Sequence, residues 1–311
     1  MGKYFIITVD TEGDNLWNWD GKSEIKTENS LYIPRFQELC EKYGFLPVYL
    51  TNYEMALDDR WVEYSSQKAK EGKCEIGMHI HAWNTPPIYD LESKYTGLPY
   101  ATEYPIDIIR EKIRTLKTLL EERYDAEIKS HRSGRWALSE EYLKALYESG
   151  ITIDCSVTPQ ISLKRMPGRT VKFGNDYSKY TKNPNYIYED MIEIPMSTRL
   201  VHRFTQGSWK HRIKNLVFGE DMWLRPIRKG FSDMMYLTRR IESESDTEYL
   251  EFMIHSSELM PGGSGYFKEE KDVERLFSDM EKYFEHISKS GYIGVTLSQY
   301  AEIIKSRKEE K

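Results

Sequence analysis

Two short patterns in this sequence have the residue types and spacing needed to grip a divalent cation. Asp10 and Glu12 stand two apart in Thr8-Val9-Asp10-Thr11-Glu12-Gly13, and His79 and His81 stand two apart in Met78-His79-Ile80-His81. Side chains two apart on a strand point the same way, so each pair shares a face if its segment is extended. One carboxylate and two imidazoles form a three-ligand set for zinc or a similar ion, with coordination positions left open, as catalytic metals need. Three further polar groups recur at the ends of extended runs: Arg132 in His131-Arg132-Ser133-Gly134-Arg135-Trp136, Asp154 in Asp154-Cys155-Ser156, and His255 in Ile254-His255-Ser256-Ser257-Glu258. Singly, each has a plainer reading. An acidic pair caps a loop, a lone arginine pairs at the surface, and a lone histidine hydrogen-bonds in a core. Their coincidence at run ends in one chain favours a shared site.

The elements that would position them alternate along the chain. β-Branched and aromatic runs predict strands at 4–9, 46–51, 74–80, 127–132, 151–157, 190–196, 249–255 and 292–297. Helices are predicted from Pro34 to Tyr43, from near Pro105 with Ile109, Ile113, Leu116 and Leu120 on one stripe, from the N-cap Ser139 to Gly150, and over about 271–289. Strand–helix alternation implies α/β architecture, a parallel sheet with helices outside, open or closed into a barrel. Such folds carry their chemistry at the C-terminal strand ends. Two stretches break the rhythm, a long loop at 158–189 of the kind that often serves function, and an irregular stretch at 198–231.

Composition narrows the class. The chain has 311 residues, a net charge of -6 and 13% aromatics, which excludes a disordered chain and allows one large barrel or two smaller domains. No apolar run approaches the ~18 residues of a membrane span. The run Tyr4–Val9 is too short for a secretion signal and reads as a first strand, so a cytoplasmic protein is expected. Cys40, Cys74 and Cys155 are an odd set without metal-knot spacing, which fits a reducing compartment. The charge gives no support for a nucleic-acid partner.

With these motifs assembled, the chain resembles the polysaccharide deacetylase superfamily, of the carbohydrate esterase family 4 type, and within it a divergent intracellular branch. The matching segments, in order, are Thr8–Gly13, Glu75–His79, Arg132–Trp136, Asp154–Ser156 and Met253–Ser256. There are two departures. The family's first motif has adjacent aspartates, but Thr11 holds the second place and Glu12 is the nearest carboxylate. Its second histidine falls four residues after the first, where this chain has Trp83, and His81 is the substitute. The resemblance implies a single domain over 1–311, a distorted (β/α) barrel of about seven parallel strands with its active site at their C-terminal ends. It also implies metal-dependent removal of an N-acetyl group from an amino-sugar-containing saccharide or its activated precursor. Glu12, His79 and His81 would hold a divalent ion, zinc foremost. Asp10 would be the base, oriented by Arg132, and His255 the acid, its imidazole held charged by Asp154 or Glu193. Trp17, Trp19, Trp83 and Trp136 lie near the motifs, where indole faces stack on sugar rings.

Two other classes stay open. His-x-His also marks amidohydrolase barrels acting on small C–N bonds, although there it sits on the first strand, which here is acidic. A non-catalytic carbohydrate-binding relative is suggested by Thr11 and Trp83, but would not need Asp10, Arg132 and His255 together. The missing secretion signal and wall-binding repeats favour a cytoplasmic precursor, such as a nucleotide sugar or lipid-linked saccharide. Finally, Thr198–Arg240 holds ten basic and three acidic residues, a net +7 that leaves -13 for the rest of the chain. Phe204, Trp209, Phe218, Trp223 and Phe231 are interleaved with Arg203, Lys210, Arg212, Arg225 and Arg228. Besides a plain solvated face, this composition suits a clamp in which Arg225 and Arg228 bind a phosphate on the substrate, or contact with an anionic membrane surface.

Overall fold

The computed structural model describes residues 2–14, 16, 19, 23–203, 209–244 and 247–309. Its strands are β1 (Lys3–Thr11), β2 (Pro47–Thr51), β3 (Glu75–Ile80), β4 (Ser130–Ser133), β5 (Ile153–Asp154), β6 (Asn185–Tyr188), β7 (Met191–Glu193), β8 (Thr198–Val201), β9 (Glu220–Trp223), β10 (Tyr249–His255) and β11 (Tyr292–Gly294). One nine-stranded sheet runs β10-β1-β2-β3-β4-β5-β7-β6, with β11 added to β1. Its neighbours are parallel except β6, which lies antiparallel on β7. The sheet curls into a half-barrel, the distorted (β/α) barrel that the sequence implied. Each expected strand is present, though 151–157 shrinks to the two residues of β5.

Strand alternation sorts the interior. Ile6, Val48, Leu50, Ile153, Cys155, Ile192, Ile194 and Tyr249 form one buried cluster inside the curl, joined by Tyr300 and Ala301 of the C-terminal helix Leu297–Glu309. Their strand neighbours Phe5, Ile7, Val9, Tyr49, Met78, Phe252 and Ile254 belong to the larger outer cluster. Helices Ile33–Lys42, Ile106–Tyr124, Glu140–Glu148 and Glu270–Lys289 cover that outer face, close to their expected limits. The Ser139 hydroxyl accepts a bond of 3.2 Å from the Tyr142 amide, the N-cap the sequence signalled.

The seam between β7 and β10 is laced by the chain that follows β7. The Leu224 amide donates to the Ser197 carbonyl at 3.0 Å, and Met253 donates to the Leu224 carbonyl at 3.1 Å. The Glu251 amide adds a bond of 2.9 Å to the Ser197 hydroxyl. The irregular stretch expected at 198–231 is instead an antiparallel ribbon of β8 and β9 carrying the helix Trp209–Phe218. Carboxylates meet several of its arginines. Arg199 contacts Glu244 at 2.8 Å, and Arg203 contacts Glu220 at 3.1 Å and Asp233 at 2.9 Å. The 158–189 stretch stays mainly irregular, with a bridge between Ser162 and Asp176 and β6 at its end.

The outer core depends on a knot of rings. Phe252 packs its ring 5.3 Å from Phe284 and 6.4 Å from both Phe5 and Tyr283, centroid to centroid. Phe252→Ala should cost ~3–5 kcal/mol in denaturant unfolding, the usual loss for a buried aromatic. A cost under about 1 kcal/mol would show that this layer is loosely packed.

Candidate active site

The parity that puts Ile6 inside the curl also puts Thr8, Asp10 and Glu12 inside, further along β1. Register then gathers the rest, since Asp10 pairs with His255 across β1 and β10, and His79 pairs with Arg132 across β3 and β4. Asp10, Glu12, His79, His81, Arg132 and Glu251 are all buried, while His255 is partly exposed.

Glu12 is the centre of the ligand set. Its Oε2 lies 2.7 Å from His81 Nε2 and 3.4 Å from His79 Nε2. One donor atom from each residue falls within 4.8 Å of the others. His79 Nδ1 donates to the Arg132 carbonyl at 2.9 Å, which fixes the ring orientation and turns Nε2 toward Glu12. The backbone of Glu12 is pinned as well. Its amide donates to Ser256 Oγ at 3.1 Å, and Asn29 donates to its carbonyl at 2.7 Å. Two nitrogens and a carboxylate oxygen gathered within 4.8 Å of one another fit a zinc-type ion. Gly134 makes room for His81, because a Cβ there would come within 2.9 Å of Nδ1. Thr11, between the two acids, turns to the outer side and donates to the Val9 carbonyl at 3.1 Å.

Arg132 lies fully buried between two carboxylates. Its Nη1 contacts Asp10 Oδ1 at 2.7 Å, its Nη2 contacts Glu251 Oε1, and its Nε donates to the Cys155 carbonyl at 3.1 Å. One guanidinium does not hold both acids equally. Burial pushes Asp10 up, but Arg132, His79 and His255 outweigh it and leave its pKa below the usual 3.8. For Glu251, burial and the Asp10 charge outweigh Arg132, and its pKa rises to about 7. Burial likewise works against ionised Glu12, yet His255, His79 and His81 hold its pKa well below 4.5.

His255 completes the pocket. Its Nε2 stands 3.7 Å from Asp10 Oδ2 and 3.8 Å from Glu12 Oε1. On the other side, Nδ1 lies 2.9 Å from Arg225 Nη2 and 3.4 Å from Glu258 Oε2, while Nε2 faces the two acids. Glu258 holds that arginine through both oxygens, at 2.8 and 2.9 Å, and accepts from the His255 amide at 2.9 Å.

Glu258 takes the place at His255 that the sequence reading gave to Asp154 or Glu193. Asp154 lies between the inward-facing Ile153 and Cys155, so alternation turns it outward. There it binds His131 Nδ1 at 2.6 Å, and His131 Nε2 meets the Tyr142 hydroxyl at 3.0 Å. Glu193, between Ile192 and Ile194, faces out for the same reason; burial and the Asp154 charge raise its pKa well above 4.5. The strand parity of Ile153-Asp154-Cys155 was the overlooked signal, as was Glu251, four residues before His255 on the same face.

The expected pair of phosphate-binding arginines is split. Arg225 is held by Glu258 beside His255, whereas Arg228 reaches out to Glu220 at 2.5 Å. Both already face carboxylates, which removes the structural basis for a clamp made of the two. Among the tryptophans, Trp83 packs on His81 with centroids 4.2 Å apart. Trp136 lies against Trp223 at 5.0 Å and over the Arg132 guanidinium. The Trp19 indole donates to the Ser23 carbonyl at 2.7 Å, and Trp17 lies outside the described residues.

Solved structures share this curled, mostly parallel sheet. The chain superposes on a candidate polysaccharide deacetylase from Mycobacterium smegmatis with a TM-score of 0.56 at 12% identity, covering 99% of this chain and 92% of that one. It superposes on a candidate glycoside hydrolase/deacetylase from Parabacteroides distasonis with a TM-score of 0.62 at 10% identity, covering 98% and 71%. At such identities the likeness is one of fold. No family model matches the sequence, and no curated protein matches it.

Glu258 sets a pH dependence. Burial raises its pKa, but Arg225 and His255 overcome that and lower it from 4.5 to about 2. A depressed carboxylate stabilises the fold above its unfolded value and loses that contribution as pH falls through its folded one. The stability gap between the wild type and Glu258→Gln should therefore be full above pH 4.5 and close toward pH 2 in denaturant melts. A gap unchanged across that range would contradict the pairing.

Proposed function

We propose that this protein is a metal-dependent hydrolase that removes an N-acetyl group from an amino-sugar-containing saccharide or its activated precursor. The observation that carries this reading is the convergence of Glu12, His79 and His81 with Asp10 and His255 on either side. Asp10 and His255 Nε2 stand 3.7 Å apart. Glu12, His79 and His81 would hold a divalent ion, zinc by their donors, which would supply polarisation of an amide carbonyl and a water easier to deprotonate.

The chain's own residues do the rest. Asp10, charged through its bond to Arg132, keeps Oδ2 turned toward His79 and His255, where it accepts the proton of the attacking water. As an imidazolium with Glu258 beside its Nδ1, His255 gives its Nε2 proton to the leaving nitrogen as the C–N bond breaks and is left neutral, so acetate and a free amine result. Arg225 and Glu258 keep that imidazole facing the pocket. Trp83, Trp136 and Trp223 are partly exposed and offer aromatic faces for a sugar ring. The deacetylase descriptions of the two fold relatives support the same chemistry. We also place the protein in the cytoplasm, acting on a nucleotide sugar or lipid-linked saccharide. The free, buried thiols of Cys40, Cys74 and Cys155 support a reducing compartment.

The test is acetate release from acetylated amino-sugar precursors, with and without added zinc. Asp10→Asn should keep the metal and lose about 10²–10⁴-fold in kcat, the share of one positioned proton-transfer group. His79→Ala and His81→Ala should each lose bound metal while staying folded. Near-normal turnover in Asp10→Asn would sink the base assignment, and lost metal in that variant would move Asp10 into the ligand set. Full metal occupancy in both histidine variants would refute the site itself.

A further inference from the structure

The helix Trp209–Phe218, carried between β8 and β9, has its amphipathic character reversed. Among its described residues only Asn215 is buried, while Trp209 is 68% exposed, Ile213 45%, Leu216 39%, Val217 58% and Phe218 70%. Trp209, Ile213, Leu216 and Val217 follow the spacing of a single helical stripe, and Asn215 falls on the opposite side. The polar residue therefore faces the protein and the apolar stripe faces away. Leu200 on β8, 37% exposed, continues the apolar surface. Gly219, at φ +80, ends the helix where a side chain would strike Leu200. A continuous apolar surface of this kind marks a place of contact.

We propose that this helix docks the protein on an anionic lipid bilayer surface. The sequence of the helix supplies Lys210, Arg212 and Lys214 and no acid. A second copy of the chain on this stripe would bring like charges together, whereas anionic headgroups neutralise them. Trp and Phe at the two ends suit the headgroup boundary, where aromatic rings concentrate. The remainder of the chain outside Thr198–Arg240 carries -13, which turns other faces away from an anionic surface. No helix among the described residues is long and apolar enough to cross a membrane, so the contact is one of lying on the surface. The arm leads straight to the pocket: β9 ends at Trp223, against Trp136, and two residues later Arg225 meets His255. Docking by the helix thus sets the barrel mouth near the lipid surface. The inference stands apart from the deacetylase reading, since its readout is binding.

Sedimentation with vesicles of equal parts phosphatidylcholine and phosphatidylglycerol tests it, against vesicles of phosphatidylcholine alone. The wild type should sediment with the anionic vesicles, stay free of the neutral ones, and be released by high salt. Trp209→Ser with Phe218→Ser should reduce partitioning by about tenfold or more, and Lys210→Glu with Lys214→Glu should abolish it. Thermal unfolding should be unchanged in the Trp209/Phe218 pair, because both side chains are exposed. Absence of wild-type binding to the anionic vesicles, or binding that neither double variant weakens, overturns the proposal. So does a wild-type dimer in solution that Trp209→Ser with Phe218→Ser turns into monomer, since a second copy then covers the stripe.

Discussion

A parallel strand packed on both faces leaves its polar side chains no water to turn to, so each must find a partner inside the protein. This constraint organises the molecule. On the inner face of the curled sheet, Thr8, Asp10, Glu12, His79, His81, Arg132, Glu251 and His255 meet one another. On the outer face His131, Asp154, Ser156 and Tyr142 do the same; Ser156 Oγ donates to Asp154 at 2.9 Å. Burying an ion costs several kcal/mol unless its partners are well placed. The inner set is balanced by one fully buried guanidinium between two carboxylates, and the imbalance appears as a depressed Asp10 and a raised Glu251. Asp10 is thus held charged by the interaction that makes its burial tolerable.

The same constraint explains how far the sequence could be read. Strands were legible because their β-branched and aromatic runs are long enough to stand out, and the helices because Pro105, Ser139 and Gly150 mark their limits. Glu12, His79 and His81 were legible because two-residue spacing on a strand is itself a statement about direction. Asp154 stands at a strand end like the site residues, but its parity, opposite to Ile153 and Cys155, turns it outward. Glu258 and Arg225 were harder to find. Arg225 comes from 30 residues before His255, out of a ribbon that reads as an irregular basic stretch. No local pattern announces that Glu244, Glu220 and Asp233 neutralise its other arginines.

Parity also accounts for Thr11 and Trp83, the two departures from the motifs that the sequence resembles. In the sequence Asp10-Thr11-Glu12 the middle residue faces away from the mouth, and Thr11 satisfies its hydroxyl on its own backbone. A carboxylate one residue later returns to the inner face, and the extra methylene of glutamate gives it reach. The imidazole at His81 likewise shares the side of His79, with the ring of Trp83 packed on it. A residue inserted between these acids would turn Glu12 outward while Asp10 kept its place, and the ligand set would lose its carboxylate.

The closure of the barrel ties the pocket to the ribbon. Ser197, Leu224 and Met253 form a chain of hydrogen bonds across the seam, and Glu251 joins it through the Ser197 hydroxyl. Leu224 is followed by Arg225 and Met253 is flanked by Glu251 and His255 on the same face, so Arg225, Glu251 and His255 lie on two short stretches of backbone joined by the Met253–Leu224 hydrogen bond. A force on the ribbon therefore reaches Arg225 and His255 through consecutive hydrogen bonds rather than through a soft loop. That rigidity suits a site in which Asp10 and His255 must face each other across 3.7 Å. It also means that the ribbon carrying the helix Trp209–Phe218 is coupled to the geometry of the pocket by the bonds that close the barrel.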